Sequence, residues 1–316
     1  MELIEFDINY SQINIFNDLV ATIGEFDGIH LAHQLLINET VSLAKQLKAK
    51  AALITFSDHP DYVLGKREFQ GYLSPLNEKR KIIEKMGIDY LINIKFNKET
   101  SLLKKDEFYN IVFKNLKALV LGYDYRFAYL GEGDTKYLKD KFSSRIIKII
   151  DKLEFFDNNE ENSFKIGSDL IRRYLEEGNI RKANELLGRE YTFEGNVIEG
   201  KKLGRTWNFP TANINVYDDK FKVKKGVYAV SCFVKNKYYY GIANFGNNPT
   251  CNYNESARLE VHLFDFNDDI YNEYIECKLI DFIREEKKFS SKEELIERIK
   301  LDKKEALKII GGLKWE

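Results

Sequence analysis

Leu19-Val20-Ala21-Thr22-Ile23-Gly24-Glu25-Phe26-Asp27-Gly28-Ile29-His30-Leu31-Ala32-His33 decides the fold of the first part of this chain. Its apolar opening, Leu19 to Ile23, reads as a buried strand, and Gly24 and Gly28 bracket a tight turn. The run that follows, with Leu35, Leu36, Val41, Leu43, Ala44 and Leu47, reads as an amphipathic helix. His30 and His33 share one face of its first turn. A helix start offers unpaired N–H groups and the positive end of the helix dipole, a natural seat for phosphate. Strand, glycine turn and helix therefore predict a site that handles a nucleoside triphosphate.

The pattern repeats downstream. Residues 51–56, 90–94, 118–122 and 146–150 are apolar strand candidates, and 77–86 reads as a helix closed by Gly87. Asp106 is placed to cap a helix carrying Phe108, Ile111, Val112 and Phe113. Strands alternating with helices predict an α/β domain with a parallel sheet covered on both faces. Ligands of such sheets bind beyond the carboxyl ends of the strands, and stretches 24–33, 55–60 and 122–128 fall at such ends. Residues 157–163 read as an exposed acidic loop, and two short helices are expected at 168–177 and 180–187.

From Tyr191 the texture changes to short segments rich in Val, Tyr, Phe and Ile, at 191–198, 226–234, 238–245, 258–266 and 274–283. Such spacing predicts an antiparallel barrel or sandwich. Ser291-Lys292-Glu293-Glu294 reads as a capping box that opens a terminal helix. The expected domains are residues 1–187, α/β, and 188–316, β-barrel plus helix.

Composition excludes several classes. A formal net charge of −1 over 316 residues gives no field for a nucleic-acid partner. Cys232, Cys251 and Cys277 form no CxxC pair, so neither a zinc site nor a disulfide framework is implied. No apolar run is long enough to span a membrane. Glu2, Glu5 and Asp7 stand where a signal peptide would be basic. A reduced, cytoplasmic enzyme or binding protein is expected, with its oligomeric state open.

Gly24 to His33 resembles the G-x-F-D-G-x-H-x-G-H signature of nucleotidylyltransferases in its flavin-specific form. Thr55-Phe56-Ser57-Asp58-His59-Pro60 resembles T-F-x-P-H-P, and Leu121-Gly122-Tyr123-Asp124-Tyr125-Arg126-Phe127 resembles V-G-x-D-F-R-F-G. Ile166 to Arg172 sits where the family has I-S-S-T-x-I-R. Further on, Gly200 to Asn213 resembles G-x-x-x-G-R-x-x-G-F-P-T-A-N, the riboflavin kinase signature and the most specific motif in the chain. Gly226 to Val230, Gly241 to Thr250 and Leu259 to Phe266 also resemble kinase motifs. The ordered set is similar to the bifunctional riboflavin kinase/FAD synthetase family of prokaryotes. Ala32, Gly167, Asp169, Asp58, Ala128 and Asn208 depart from its patterns.

The resemblance implies a Rossmann-like nucleotidylyltransferase domain, a riboflavin kinase barrel and two activities. The second domain would phosphorylate riboflavin with ATP to FMN, and the first would transfer AMP from ATP to FMN, giving FAD and pyrophosphate. In the first domain it implies His30 and His33 as catalytic, with Gly24, Phe26, Asp27, Gly28 and Arg172 on ATP and Asp124 and Arg126 on flavin. In the second it implies Glu260 as base for the riboflavin hydroxyl, Gly200, Gly204 and Arg205 on phosphate, Thr211 and Asn213 on Mg2+, and Arg284 on flavin. The residues themselves leave plainer readings open. These are a surface pair for the histidines, a structural hydrogen bond for His59, a buried ion pair for Asp124 with Arg126, a rim ion pair for Glu260, and solvated surface around Arg284. Two functional alternatives stand beside the main one: a riboflavin kinase with a silent N-terminal domain, and a flavin-binding regulator without turnover.

Overall fold

Six parallel strands build the sheet of the first unit: β1 (Glu2–Phe6), β2 (Leu19–Ile23), β3 (Lys50–Phe56), β4 (Tyr90–Ile94), β5 (Ala118–Gly122) and β6 (Ile146–Ile150). The computed structural model describes residues 1–8, 17–142, 145–156, 163–199, 209–247 and 257–312. The sheet order is β1-β4-β3-β2-β5-β6. The central strands read as unbroken apolar runs because both faces are covered. Ala21, Ile23, Ala52, Ile54 and Leu119 enter one core, and Val20, Leu53, Leu91 and Val120 enter the other. The second core also takes Ile37, Val41 and Ala44 of α1 (Leu31–Gln46) and Ile83 of α2 (Leu76–Lys85). Strand β1 has no counterpart in the sequence reading. It pairs with β4 alone, and Glu2 and Glu5 interrupt its apolar pattern.

The strand order reverses at β2. Strands β3, β4 and β1 lie to one side, β5 and β6 to the other. The three stretches singled out from sequence sit at the carboxyl ends of β2, β3 and β5, three neighbours at the topological switch point. One local expectation fails. The helix at Lys105–Phe108 is capped at Lys104, whose N–H donates to Glu107 at 2.8 Å. Asp106 lies inside the first turn, where its carboxylate accepts the Tyr137 hydroxyl at 2.6 Å.

The second unit holds α3 (Ser168–Glu177), α4 (Ile180–Leu187), six antiparallel strands and α5 (Lys292–Gly311). The strands are β7 (Tyr191–Ile198), β8 (Ala212–Ile214), β9 (Gly226–Val234), β10 (Lys237–Asn247), β11 (Ala257–Leu263) and β12 (Tyr274–Arg284). They close as a barrel in the order β7-β8-β11-β10-β9-β12, with β12 returning to β7. Tyr191, Phe193, Tyr228, Phe245 and Leu279 are buried in it, and the rings of Phe193 and Phe245 stack at 5.2 Å. Helix α5 packs on Val227, Ala229, Ile242 and Ile280 through Ala306 and Ile310. Ser291 caps it by accepting the Glu294 N–H at 3.2 Å, as the box predicted. Strand β8 escaped the sequence reading because it is only three residues long and follows a proline.

The chain separates into two compact units, Met1–Gln70 with Ser74–Gly167, and Gly71–Leu73 with Ser168–Glu316. The boundary expected at 187 thus falls at the end of the α3–α4 pair, and the pair itself clusters with the barrel. Residues 71–73 join that unit as an extended segment. Tyr72 N–H donates to Asp219 at 2.6 Å, and Phe221 N–H donates to Tyr72 at 2.8 Å. Among the described residues, no helix is long and apolar enough to cross a membrane. Most of the acidic loop, 157–162, lies outside the described residues.

Candidate active sites

In the first unit, the turn after β2 is built from unusual backbone. Gly28 has φ 82°, which suits glycine, but Phe26 (49°) and Ile29 (41°) are also left-handed. Their side chains are 1% and 0% exposed, so core packing holds the strained turn in place. Asp27 ties it laterally, accepting the Ser74 N–H at 3.1 Å. The turn delivers His30 to the cap of α1, where its Nδ1 accepts the His33 N–H at 3.4 Å. Ala32, where the family pattern has Gly, is the second residue of α1 and favours that helix.

The two imidazoles stack with centroids 3.6 Å apart and planes 18° apart. The Phe26 ring leans on His33 at 5.0 Å. Burial, followed by the charges of His30, Lys79 and Lys165, holds His33 well below the usual imidazole range. His33 is therefore a neutral ring, and its Nδ1 is buried with no hydrogen-bond partner among the described residues. A stacked pair at a helix start is poised to face an anion. The surface-pair alternative does not fit this burial.

Beneath the pair lies a polar cluster that sequence reading missed. Lys79 of α2 is 6% exposed, and its Nζ donates to the Glu25 carbonyl at 2.8 Å and to Thr55 Oγ1 at 3.5 Å. Burial lowers the Lys79 ammonium and, against the Lys79 charge, pushes the Glu25 carboxyl up to about 8. In sequence Lys79 sits in Asn77-Glu78-Lys79-Arg80-Lys81, which reads as a solvated charge run. No local signal distinguishes it from its neighbours.

Asp124 pairs with Lys165 rather than with Arg126, and both partners are about half exposed. The plainer alternative, a buried Asp124–Arg126 ion pair, does not form, because Arg126 is exposed and donates from Nη1 to the Gly131 carbonyl at 3.3 Å. His59 caps the short helix Pro60–Val63, accepting the Asp61 N–H at 3.2 Å, which is the structural reading. Arg172 is placed in the second unit. Its Nη2 donates to the Gly71 carbonyl at 3.4 Å, and its Nη1 lies 3.9 Å from Asp169.

In the barrel, a row of register partners runs Asn213–Glu260–Asn244 across β8, β11 and β10. Register partners point to one face, with Cβ atoms about 4.5–5.5 Å apart. Inward-facing neighbours Ala212, Leu259, Val261 and Ala243 are buried, so the polar row lies on the outer face. Asn213 is 6% exposed, and its Oδ1 has no hydrogen-bond partner among the described residues. Asn244 Nδ2 donates to Glu286 at 3.1 Å. Burial keeps His262 below the usual imidazole range, and its Nδ1–H donates to the Pro210 carbonyl at 2.8 Å, anchoring the residue before exposed Thr211. A cavity of about 310 Å³ opens beside Pro210, Thr211 and Ala212, walled by Phe266, Asp268 and Tyr271.

Arg284 is held from behind by α5. Its Nε and Nη2 donate to the Asp302 carboxylate at 2.9 and 2.7 Å, and Asp302 is 1% exposed. Arg298 donates to the same carboxylate at 2.8 Å. Gly200, Gly204 and Arg205 lie outside the described residues. Among the described residues, no group of three or more His, Cys, Asp or Glu side chains is arranged to hold a metal ion. The donor set at Thr211 and Asn213 instead suits a hard cation that brings most of its oxygen ligands with it.

Comparison with known proteins matches both parts of the chain. A family profile described as FAD synthetase matches residues 12–164, and one described as riboflavin kinase matches residues 187–310. The "Bifunctional riboflavin kinase/FMN adenylyltransferase" of Bacillus subtilis is 35% identical over 301 residues, covering 93% of each chain. Its namesake in Buchnera aphidicola from Acyrthosiphon pisum is 37% identical over 310 residues, covering 96% of each. A crystal structure described as a macrolide-efflux protein from Streptococcus pneumoniae matches with a TM-score of 0.85 at 28% identity, covering 99% of this chain and 100% of that one. With both profiles matched in order and full-length relatives at this identity, the chain belongs to the bifunctional riboflavin kinase/FMN adenylyltransferase family.

Proposed function

We propose that the barrel unit phosphorylates riboflavin with ATP and that the sheet unit transfers AMP from ATP to the FMN so formed. The observation that carries the kinase half is the row Asn213–Glu260–Asn244, which sets a carboxylate beside a buried amide oxygen that has no hydrogen-bond partner among the described residues. Glu260 is the base. It accepts the proton of the riboflavin 5′-hydroxyl as that oxygen bonds to the γ-phosphorus and ADP leaves. Asn213 Oδ1 and the Thr211 hydroxyl would hold Mg2+, an ion that neutralises charge on the ATP phosphate oxygens when bound. The cavity beside Thr211 offers room for the nucleoside end of ATP. Gly200, Gly204 and Arg205 serve the phosphates. Arg284, braced by Asp302, presents its remaining face to the flavin.

In the sheet unit, an FMN phosphate oxygen attacks the α-phosphorus of ATP and pyrophosphate departs. No covalent intermediate is required. Positioning and stabilisation of charge supply the rate. The His30–His33 pair donates to phosphate oxygens at the start of α1, where the helix dipole adds to it. Phe26, Asp27, Gly24 and Gly28 shape the turn against which ATP lies. Asp124 and Arg126 take the flavin side. We place both reactions in the cytoplasm, a reading supported by Cys232 and Cys277, which face each other in register as free, buried thiols.

Neither alternative is favoured: a silent N-terminal unit would not need the stacked histidine pair, and a binder without turnover would not need Glu260. The test is direct. The protein is incubated with riboflavin, ATP and Mg2+, and FMN is separated from FAD. Both products are expected. FMN without FAD, even from supplied FMN, would remove the adenylyl transfer, and no product at all would leave the binder.

A further inference from the structure

The Gly24–His33 turn is strained at two non-glycine residues, and something must hold it. Core packing of Phe26 and Ile29 fixes its apolar side. Its polar side faces Lys79, a residue outside every motif recognised in the chain. A lysine this deeply buried is retained only where its ammonium is paired and hydrogen-bonded. Lys79 meets that condition through the turn itself. It donates to the Glu25 carbonyl at 2.8 Å, and the same carbonyl accepts Thr55 Oγ1 at 3.1 Å. Thr55 Oγ1 in turn lies 3.5 Å from Lys79 Nζ, which closes a small ring across the ends of β2, β3 and α2. The leading acidic partner that offsets its charge, Asp27, belongs to the turn.

We propose that Lys79 is a positioning residue for adenylyl transfer. It clamps the Glu25 carbonyl against Thr55, so that the turn presents the His30–His33 pair to the phosphates of ATP in one orientation. The inference rests on the assignment of AMP transfer to that pair. Lys79 itself acts through the turn. The two backbone steps between Glu25 and Asp27 carry its hold to Phe26, whose ring contacts His33.

The test is Lys79→Met in the full-length protein, which keeps the stem and removes the charge and its donors. The readouts are steady-state FAD formation from FMN and, as an internal control, FMN formation from riboflavin. A misplacement of about 1 Å costs up to about a hundredfold in rate, so kcat for FAD formation is expected to fall at least about tenfold. The KM for FMN should stay within about twofold, because the lesion lies on the ATP side, and kinase turnover should be unchanged. Thr55→Val, which breaks only the second strand of the clamp, should lower the same kcat by a smaller factor. Full FAD kcat in Lys79→Met, or a rise in KM for FMN with kcat retained, overturns the clamp. If Lys79→Met loses cooperative unfolding of the sheet unit, Thr55→Val decides, and an unchanged kcat there overturns it. Wild-type protein that makes no FAD defeats the parent assignment instead, so the two failures are distinguishable.

Discussion

Asn213 and Glu260 are register partners across β8 and β11, so an amide and a carboxylate from separate sequence motifs share one outer face of the barrel. On the other side of Glu260 stands Asn244. Residues separated by nearly fifty positions in sequence thus meet at one lateral step of the sheet, which no local reading of either motif reveals.

That pairing sets the first expectation. Glu260→Gln keeps the shape and removes the base, so FMN formation should fall by roughly 10²–10⁴-fold, the usual worth of general base catalysis. FAD formation from supplied FMN should be unchanged. Chromatographic assay of both products checks this, and loss of both in a folded variant would contradict separate sites.

His30 has two duties, and two substitutions separate them. His30→Ala removes the imidazole and the cap on α1, and should lower both FAD synthesis and stability, the latter by about 1 kcal/mol. His30→Asn supplies another capping oxygen, so its thermal unfolding should resemble wild type while FAD synthesis stays low. Equal activity in His30→Asn and wild type would show that the cap alone matters.

Ala128 sits where the family pattern has Gly, and its backbone lies at φ 66°, ψ −173°. That region is essentially reserved for glycine and costs an alanine about 1–3 kcal/mol. Ala128→Gly should therefore stabilise the sheet unit, less about 0.5–1 kcal/mol for the freedom glycine gains when unfolded. Thermal melts give the sign, and a lower melting temperature would refute the strain.

Asp302 is a buried carboxylate shared by Arg284 and Arg298. Removing one partner from such a cluster leaves uncompensated charge and costs about 3–5 kcal/mol. Asp302→Asn should show this loss in denaturant unfolding of the barrel. It should also raise the KM for riboflavin if Arg284 meets the flavin, because the guanidinium loses its brace.

The pH dependence of the sheet unit has two opposed limbs. Glu25 moves from an ordinary 4.5 to about 8 in the fold, so the unfolded chain releases its proton first. Its contribution is full below pH 4.5 and is lost as pH rises toward 8. His33 is held below the ordinary 6.5, so its contribution is present above pH 6.5 and is lost as pH falls below that value. Glu25→Gln should flatten the alkaline limb in a series of melts and leave the acid limb in place.

The two fold classes were legible because hydrophobic period and turn chemistry are local. Leu19–Ile23, Ala118–Gly122 and Ile146–Ile150 form strands where the apolar runs lie, and Ser291 caps the helix its box announced. Edge strand β1 and three-residue β8 were missed, since each takes its identity from a neighbour's hydrogen bonds rather than from its own pattern. Asp106 failed as a cap because Glu107 competes for the same turn.

By itself the sequence determined the order of the motifs, the family they resemble, and the two histidines and one glutamate that carry the proposed chemistry. Only the tertiary structure decided which strand ends adjoin at the switch point and that Asp124 pairs with Lys165. It alone showed that Arg284 leans on Asp302 and that Lys79, in a run that looks solvated, is buried under the Glu25 carbonyl. The physical reason is range. Periodicity and capping act within a turn or a strand, whereas burial and ion pairing depend on which distant segments the closed core brings into contact.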